Sequence, residues 1–145
     1  MIGFSVPQGD TVLIVSYEGM HLVRLGTPVT VETDEEHREY DLCPPDAGVC
    51  RYRGREWNMI GLYPGSPILT GRDGERLVLN IEAEKVVVFH GDDEDWSSAY
   101  ENFSGDWATV TFSPDGRYIV LGCPYGFDFR VWERIDGPEV VVPPC

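Results

Sequence analysis

Residues 107–122, with the sequence WATVTFSPDGRYIVLG, decide the fold class of this chain. Apolar and polar side chains alternate over residues 108–112, which is the pattern of a β-strand with one buried face and one face in water. The Ser-Pro-Asp-Gly sequence at residues 113–116 favours a tight turn, because its glycine adopts a positive φ without steric cost. An apolar run over residues 118–122 supplies the returning strand. Since these segments lack the 3.6-residue period of a helix, the sequence predicts an antiparallel all-β fold.

The same pattern recurs along the chain with a spacing of about fifty residues. Trp57 and Trp107 lie at the same place in two copies, and Pro64 and Pro114 follow them at the same offset. A weaker third copy begins at Phe4, and each copy is expected to be a meander of antiparallel strands. We divide the single predicted domain, residues 1–145, into copies at approximately 4–25, 55–81 and 105–134 and insertions at 26–54 and 90–104.

The last copy resembles one blade of a β-propeller of the WD-repeat or TolB-like type. In those blades an FSPDG turn joins inner strands and a Val-Trp pair closes the third strand, as Phe112–Gly116 and Val131-Trp132 do here. The Gly-His dipeptide and structural Asp of WD repeats are missing, and three copies are fewer than the ~4–8 blades of a closed ring. The resemblance implies blade-like sheets and no particular activity. We expect an open propeller, a ring shared within a homodimer, or an irregular barrel or sandwich.

The charge of the chain limits its partners. Its 145 residues include 11 Lys and Arg against 25 Asp and Glu, which gives a formal net charge of −14. Such a chain repels nucleic acid and anionic membranes, so neither is predicted as a partner. No apolar run approaches the ~20 residues that a membrane span needs. Because the N-terminus has no signal-peptide pattern, a cytoplasmic location is predicted.

The first insertion combines an acidic run with an arginine stripe. Residues 31–41 contain six acids, Glu35 and Glu36 among them, and one arginine. Thr33 and Glu36 have capping-box spacing, so the run is either a short helical turn or a solvated loop. Arginines recur at period two over residues 51–55, and they are Arg51, Arg53 and Arg55. They form an anion-binding edge, or they pair with the nearby acids.

The second insertion places four consecutive acids, residues 92–95, before Trp96. Trp96, Tyr100 and Phe103 recur at helical spacing, which predicts a short helix that packs one face on the sheets and is capped by one of the acids. The acids lack the EF-hand pattern, so a calcium site is not predicted.

The four cysteines are Cys43, Cys50, Cys123 and Cys145. In a reducing compartment, Cys43 and Cys50 are expected to be a reduced pair on a proline-rich loop. A disulfide between them and a zinc site with His37 are the alternatives. Cys123 lies in an apolar run, where cysteine acts as a small core residue.

The sequence contains none of the local signatures of a nucleophile, metalloprotease or phosphate-binding loop, and no cofactor or metal is predicted. The leading hypothesis is therefore a non-enzymatic acidic module that binds a basic protein, an inhibitor or immunity protein being one variant. Alternatives are a β-protein that binds a glycan or small anion, and an enzyme that uses scattered carboxylates. The candidate binding residues are Arg51, Arg53, Arg55, Trp96, Glu35, Glu36, Asp93 and Asp95.

Overall fold

The computed structural model describes residues 3–16, 19–26, 28–34, 48–61, 63–71, 74–101, 108–123 and 129–134. These residues form twelve β-strands and no α-helix, and neighbouring strands pair antiparallel. The predicted all-β antiparallel fold is therefore confirmed. The strands are β1 (Gly3–Ser5), β2 (Thr11–Ser16), β3 (Gly19–Arg24), β4 (Thr30–Asp34), β5 (Val49–Tyr52), β6 (Arg55–Gly61), β7 (Glu75–Asn80), β8 (Lys85–His90), β9 (Asp93–Ala99), β10 (Thr109–Phe112), β11 (Tyr118–Gly122) and β12 (Phe129–Glu133).

The first six strands form one sheet in the order β4-β3-β2-β1-β6-β5, which curls into a half-barrel. Successive residues of a strand face opposite sides of the sheet, and one side buries a cluster that includes Leu13, Met20 and Trp57. Edge strands β4 and β5 approach each other, since the Tyr52 hydroxyl donates to Asp34 Oδ2 at 2.7 Å. Side chains thus join the two edges of this sheet.

The other six strands form two three-stranded meanders, β7-β8-β9 and β10-β11-β12. All five residues of β11 are buried, because the meander that contains it lies between the other two sheets. Val120 packs with the half-barrel, whereas Ile119 and Leu121 pack with β7–β9. A Cβ atom on Gly122 would lie 2.5 Å from Phe4 Cε1, so only glycine lets the half-barrel pack this closely.

A short linking segment, residues 68–71, joins the β7 edge of one meander to the β10 edge of the other. The backbone N–H of Phe112 donates to the Ile68 carbonyl at 2.9 Å, and that of Leu77 donates to the Leu69 carbonyl at 2.8 Å. Backbone groups on both edges therefore find partners in the linking segment. The linking segment therefore covers the side of the two meanders that β7 and β10 form.

The β10–β11 hairpin has the predicted turn but not the predicted wet face. Ser113 Oγ donates to Asp115 Oδ1 at 2.7 Å, and Gly116 has a φ of 74°, as the Ser-Pro-Asp-Gly sequence predicts. Thr111 is fully buried, and its Oγ1 accepts the Ile68 N–H at 2.9 Å. Because the half-barrel and the linking segment cover this face of β10, the prediction that it lies in water is wrong.

The middle copy of the predicted repeat is divided between two sheets. Its first strand, β6, pairs with β1 and β5, whereas its later strand, β7, pairs with β8. Residues 4–25 and 109–133 do contain the expected meanders, but the sheets are not confirmed as propeller blades. The match between residues near Trp57 and Trp107 thus records a shared local strand pattern, and Trp107 itself lies outside the described residues.

The two predicted helical turns are wrong in the described residues. Thr33 lies in β4, where it pairs with His21, and Trp96 lies in β9 opposite Val88. The spacing between Trp96 and Tyr100 fits a strand as well as a helix, because four residues are two full periods of a strand. Both side chains pack into the core between the meanders. Glu36 and Phe103, which completed the helical patterns, lie outside the described residues.

The two described cysteines differ in oxidation state. Cys50 is fully buried in the half-barrel and is disulfide-bonded, so the expectation that it is reduced is wrong. Cys123 is a thiol outside any disulfide and is buried among apolar side chains, as its sequence context predicts. Cys43 and Cys145 lie outside the described residues. Since disulfides persist in oxidising compartments, the bond at Cys50 weighs against the predicted cytoplasmic location, which stays a prediction.

Candidate binding cleft between two edge strands

A cleft of about 510 Å³ opens between the two meanders, on the side opposite the linking segment. It lies between β8 and β9 of one sheet and β11 and β12 of the other. Its wall is apolar and aromatic, with one acid and one arginine at the end of β12. The lining residues are Val88, Trp96, Ile119, Val131, Trp132, Glu133 and Arg134. We call this the tryptophan cleft.

Two half-buried tryptophans, one from each sheet, meet in the tryptophan cleft. The rings of Trp96 and Trp132 are edge to face, with centroids 5.4 Å apart and an interplanar angle of 73°. Trp96 is held opposite Val88 in β8, and Trp132 is held opposite Ile119 in β11. Because both partner residues are buried, the two rings are held in place by the fold, and part of each remains exposed to a ligand.

The arginine in the cleft wall is part of a buried ion pair. Arg134 Nη1 donates to Glu75 Oε1 at 2.9 Å, and Nη2 also contacts Oε2, so the pair is bidentate. The guanidinium lies 5.4 Å from the centre of the Phe112 ring and donates to the Gly116 carbonyl at 3.2 Å. Its charge is therefore compensated, and it ties β7 to the end of β12.

The acid in the cleft wall lies at the surface. Glu133, at the end of β12, pairs with Arg117, the residue before β11, with Arg117 Nη2 2.9 Å from Glu133 Oε2. This hydrogen bond raises the pKa of Arg117 above its usual value. Both side chains are about half exposed, so this ion pair at the rim of the cleft is weak and can rearrange.

Next to Trp96, residues 92–95, at and just before the start of β9, are acids that have no cation among the described residues. Asp92, Asp93, Glu94 and Asp95 are all exposed, and among the described residues none makes an ion pair or a side-chain hydrogen bond. A β-bulge lies here, since Val88 pairs with Trp96 while the next residue of β8 pairs with Glu94. Asp95 is the extra residue in this bulge. Three predicted site residues, Asp93, Asp95 and Trp96, are thus neighbours at one edge.

The predicted arginine stripe lies on the half-barrel, and two of its three arginines pair with acids of that sheet. Arg53 Nη2 is 2.7 Å from Glu32 Oε1 in the predicted acidic run, and Arg51 Nη2 is 3.1 Å from Glu56 Oε1 on the neighbouring strand. The hydrogen bond from Arg53 lowers the pKa of Glu32, and the same bond raises that of Arg53. Arg55 lies 6.0 Å from the centre of the Trp57 ring.

Of the two alternatives for the stripe, pairing with acids therefore describes Arg51 and Arg53. The tryptophan cleft is built from the two meanders, so the structure does not bring the stripe together with Trp96. Glu35 and Glu36 lie outside the described residues.

His21 lies between two hydroxyl groups of the half-barrel. His21 Nε2 is 2.8 Å from Ser16 Oγ, and His21 Nδ1 is 3.1 Å from Thr33 Oγ1. Cys123 lies in the core between the meanders. Within the described ranges, no group of three or more His, Cys, Asp or Glu side chains is arranged to hold a metal ion.

Sequence reasoning named Trp96 but missed Trp132, its partner in the cleft. The signal was present in the Val131-Trp132 pair, which was interpreted only as the closing strand of a blade. Strand alternation would have separated the two residues, since Val131 packs toward the half-barrel and Trp132 toward β7–β9.

Comparisons of the chain with protein-family models, with curated proteins and with solved structures found no match. In the described part of the chain, no helix has the length and apolar character of a membrane span.

Proposed function

We propose that this protein is a non-enzymatic module that binds a basic protein partner through the tryptophan cleft and the acids of β9. The observation that carries the proposal is that four exposed acids, Asp92–Asp95, adjoin an open aromatic cleft and have no ion-pair partner among the described residues. Aromatic anchors surrounded by charge are the usual composition of a protein-binding hot spot. An inhibitor or immunity protein that neutralises a basic enzyme would have this character.

Charge and packing have separate roles in this proposal. The acids raise the rate at which a basic partner arrives, and this effect weakens as salt screens the field. The tryptophans supply apolar area that a partner buries on contact. Arg134 does not oppose a cationic group strongly, because Glu75 already compensates its charge.

Affinity capture with charge-reversed baits tests the proposal. The wild-type chain and an Asp93→Lys/Asp95→Lys variant serve as baits in a lysate. The matched control, Glu82→Lys/Glu101→Lys, makes the same charge change on exposed residues at the other end of the same sheet. We expect the wild-type and control baits to capture a basic protein and the site variant not to capture it. The captured protein should be released as the salt concentration rises to about 0.5 M. Capture that ignores both the site variant and salt would overturn the proposal.

A second candidate function is glycan binding, and the half-exposed pair of Trp96 and Trp132 favours it. Aromatic rings stack on the apolar faces of sugars, and Glu133 at the rim offers acceptors for hydroxyl groups. A thermal-shift screen of oligosaccharides separates the two functions. A glycan ligand would raise the melting temperature of the wild type and of Asp93→Lys/Asp95→Lys, but not that of Trp132→Ala.

A further inference from the structure

We infer that the partner is bound as an extended strand added to the outer edge of β9, with side chains that reach the tryptophan cleft. This inference rests on the proposed function and specifies the conformation of the segment that is recognised. In such β-strand addition, main-chain hydrogen bonds supply affinity and pockets for alternate side chains supply specificity.

The edges of the two meanders differ in their backbone partners. On one side, β7 and β10 are joined by hydrogen bonds to residues 68–71. On the other side, β9 and β12 are the last strands of their sheets in the described part of the chain. Among the described residues, no strand pairs with the outward backbone groups of β9.

The two halves of β9 differ as docking edges. The first half has a bulge and clustered acids, the features by which edge strands resist pairing with other chains. The second half, Trp96–Ala99, continues in regular register with β8 and has the sequence Trp-Ser-Ser-Ala. It carries no charge, and beyond Trp96 its side chains are small enough for another backbone to approach.

The tryptophan cleft lies on the inner face of this second half. Trp96 packs into the core between the meanders, and strand alternation places Ser98 on the same face. Alternate side chains of an added strand would fall on this face as well, where Trp132 and Ile119 form the opposite wall. The cleft can thus take one apolar side chain or the aliphatic stem of a basic one.

Charge complementarity identifies the chemistry of the added strand. Asp92–Asp95 immediately precede the regular half of β9 and have no cation among the described residues. An extended segment paired with Trp96–Ala99 would continue past these acids. Lysine or arginine residues at that end of the segment would find partners there.

Three blocked hexapeptides test the inference with isotope-labelled full-length protein. The first alternates lysine and valine, the second is the same peptide N-methylated at alternate residues, and the third has glutamate in place of lysine. We expect the first to bind, to quench tryptophan fluorescence and to slow exchange of alternate amide protons within Trp96–Ala99 about tenfold at a tenfold excess over Kd. The N-methylated peptide should bind about tenfold or more weakly, because it cannot donate along one edge.

The outcomes separate this inference from the proposed function. Equal binding of the methylated and unmethylated peptides without amide protection in β9 would overturn strand addition. A preference for lysine over glutamate that Asp93→Lys/Asp95→Lys abolishes would still support the proposed function. No preference for lysine would count against the proposed function itself. Absence of binding by the lysine peptide at millimolar concentration would overturn the inference.

Discussion

Edge strands of this molecule meet at two junctions, and the junctions differ in whether their acidic side chains have partners. At the β4/β5 junction of the half-barrel, the acids have partners, since Tyr52 donates to Asp34 and Arg53 pairs with Glu32. At the β9/β12 junction, two tryptophans meet but the acids of β9 have no cation among the described residues.

The difference suggests how to separate structural acids from acids available for binding. An acid whose charge is compensated across two strands helps to hold those strands together. An acid cluster without such compensation repels itself and is not expected to stabilise the fold. The β4/β5 junction is therefore expected to respond to mutation through stability, and the β9/β12 junction through binding.

The largest difference in the effect of mutation on stability is expected between two tryptophans, one near each junction. Trp57 is 1% exposed, and its indole N–H donates to the Tyr52 carbonyl at 3.2 Å. Trp57→Ala should lower the free energy of unfolding by about 3–5 kcal/mol, since it leaves a large cavity. Trp132→Ala, at the half-buried site, should cost no more than about 2 kcal/mol. Urea unfolding of both variants measures the difference, and equal losses would contradict the comparison.

The buried pair of Glu75 and Arg134 should make one part of the β9/β12 junction sensitive to mutation. The Glu75 side chain is 9% exposed and the Arg134 side chain is 25% exposed. Glu75→Ala removes the carboxylate that compensates the charge of this guanidinium, so we expect a loss of about 3 kcal/mol. Glu133→Ala, at the exposed end of the same cleft, should cost far less. Urea unfolding again measures both, and a tolerated Glu75→Ala would show that Arg134 is solvated in the native state.

Alkaline pH should weaken the β4/β5 junction. Burial, and then the hydrogen bond to Asp34, raise the pKa of Tyr52 from 10.0 to about 12. Because the folded state holds this proton more tightly, the stabilisation is complete below pH 10 and is lost as pH rises through about 12. The loss should reach about 2–3 kcal/mol.

Tyr52→Phe is the control for this pH dependence. Tyr100 and Tyr118 also have raised pKa values, mainly through burial, and they contribute to alkaline unfolding in both proteins. The difference between wild type and Tyr52→Phe therefore isolates Tyr52. Unfolding curves at several pH values measure it, and parallel pH profiles for the two proteins would refute the assignment.

Features that depend on residues adjacent in sequence could be predicted from the sequence. The β10–β11 hairpin was predicted because its strands and its Ser113–Gly116 turn are contiguous. The split of residues 55–81 between two sheets could not be predicted, since it depends on β6 pairing with β1, more than fifty residues earlier. The sequence pattern of Trp57 and Trp107 gives no information on such distant partners.

The candidate site was predicted in part for the same reason. Asp93, Asp95 and Trp96 were named because they are adjacent in sequence. Trp132 was missed as a ligand-facing residue, because its contact with Trp96 joins strands of different sheets. The prediction of a helix around Trp96 is wrong because the spacing to Tyr100 fits the period of a strand as well as that of a helix. Only the pairing with β8 distinguishes the two.

The smallest effect of mutation on the free energy of unfolding is expected for the acids of β9. Asp93→Asn/Asp95→Asn removes two charges that have no cation among the described residues, so the free energy of unfolding should change by no more than about 0.5 kcal/mol. At low salt the variant should be slightly more stable than the wild type, because repulsion with Asp92 and Glu94 falls, and added salt should reduce this gain. A loss above about 1 kcal/mol would mean that these acids support the fold as Asp34 does. Neutral stability together with lost capture of a basic partner would instead separate binding from folding at the β9/β12 junction.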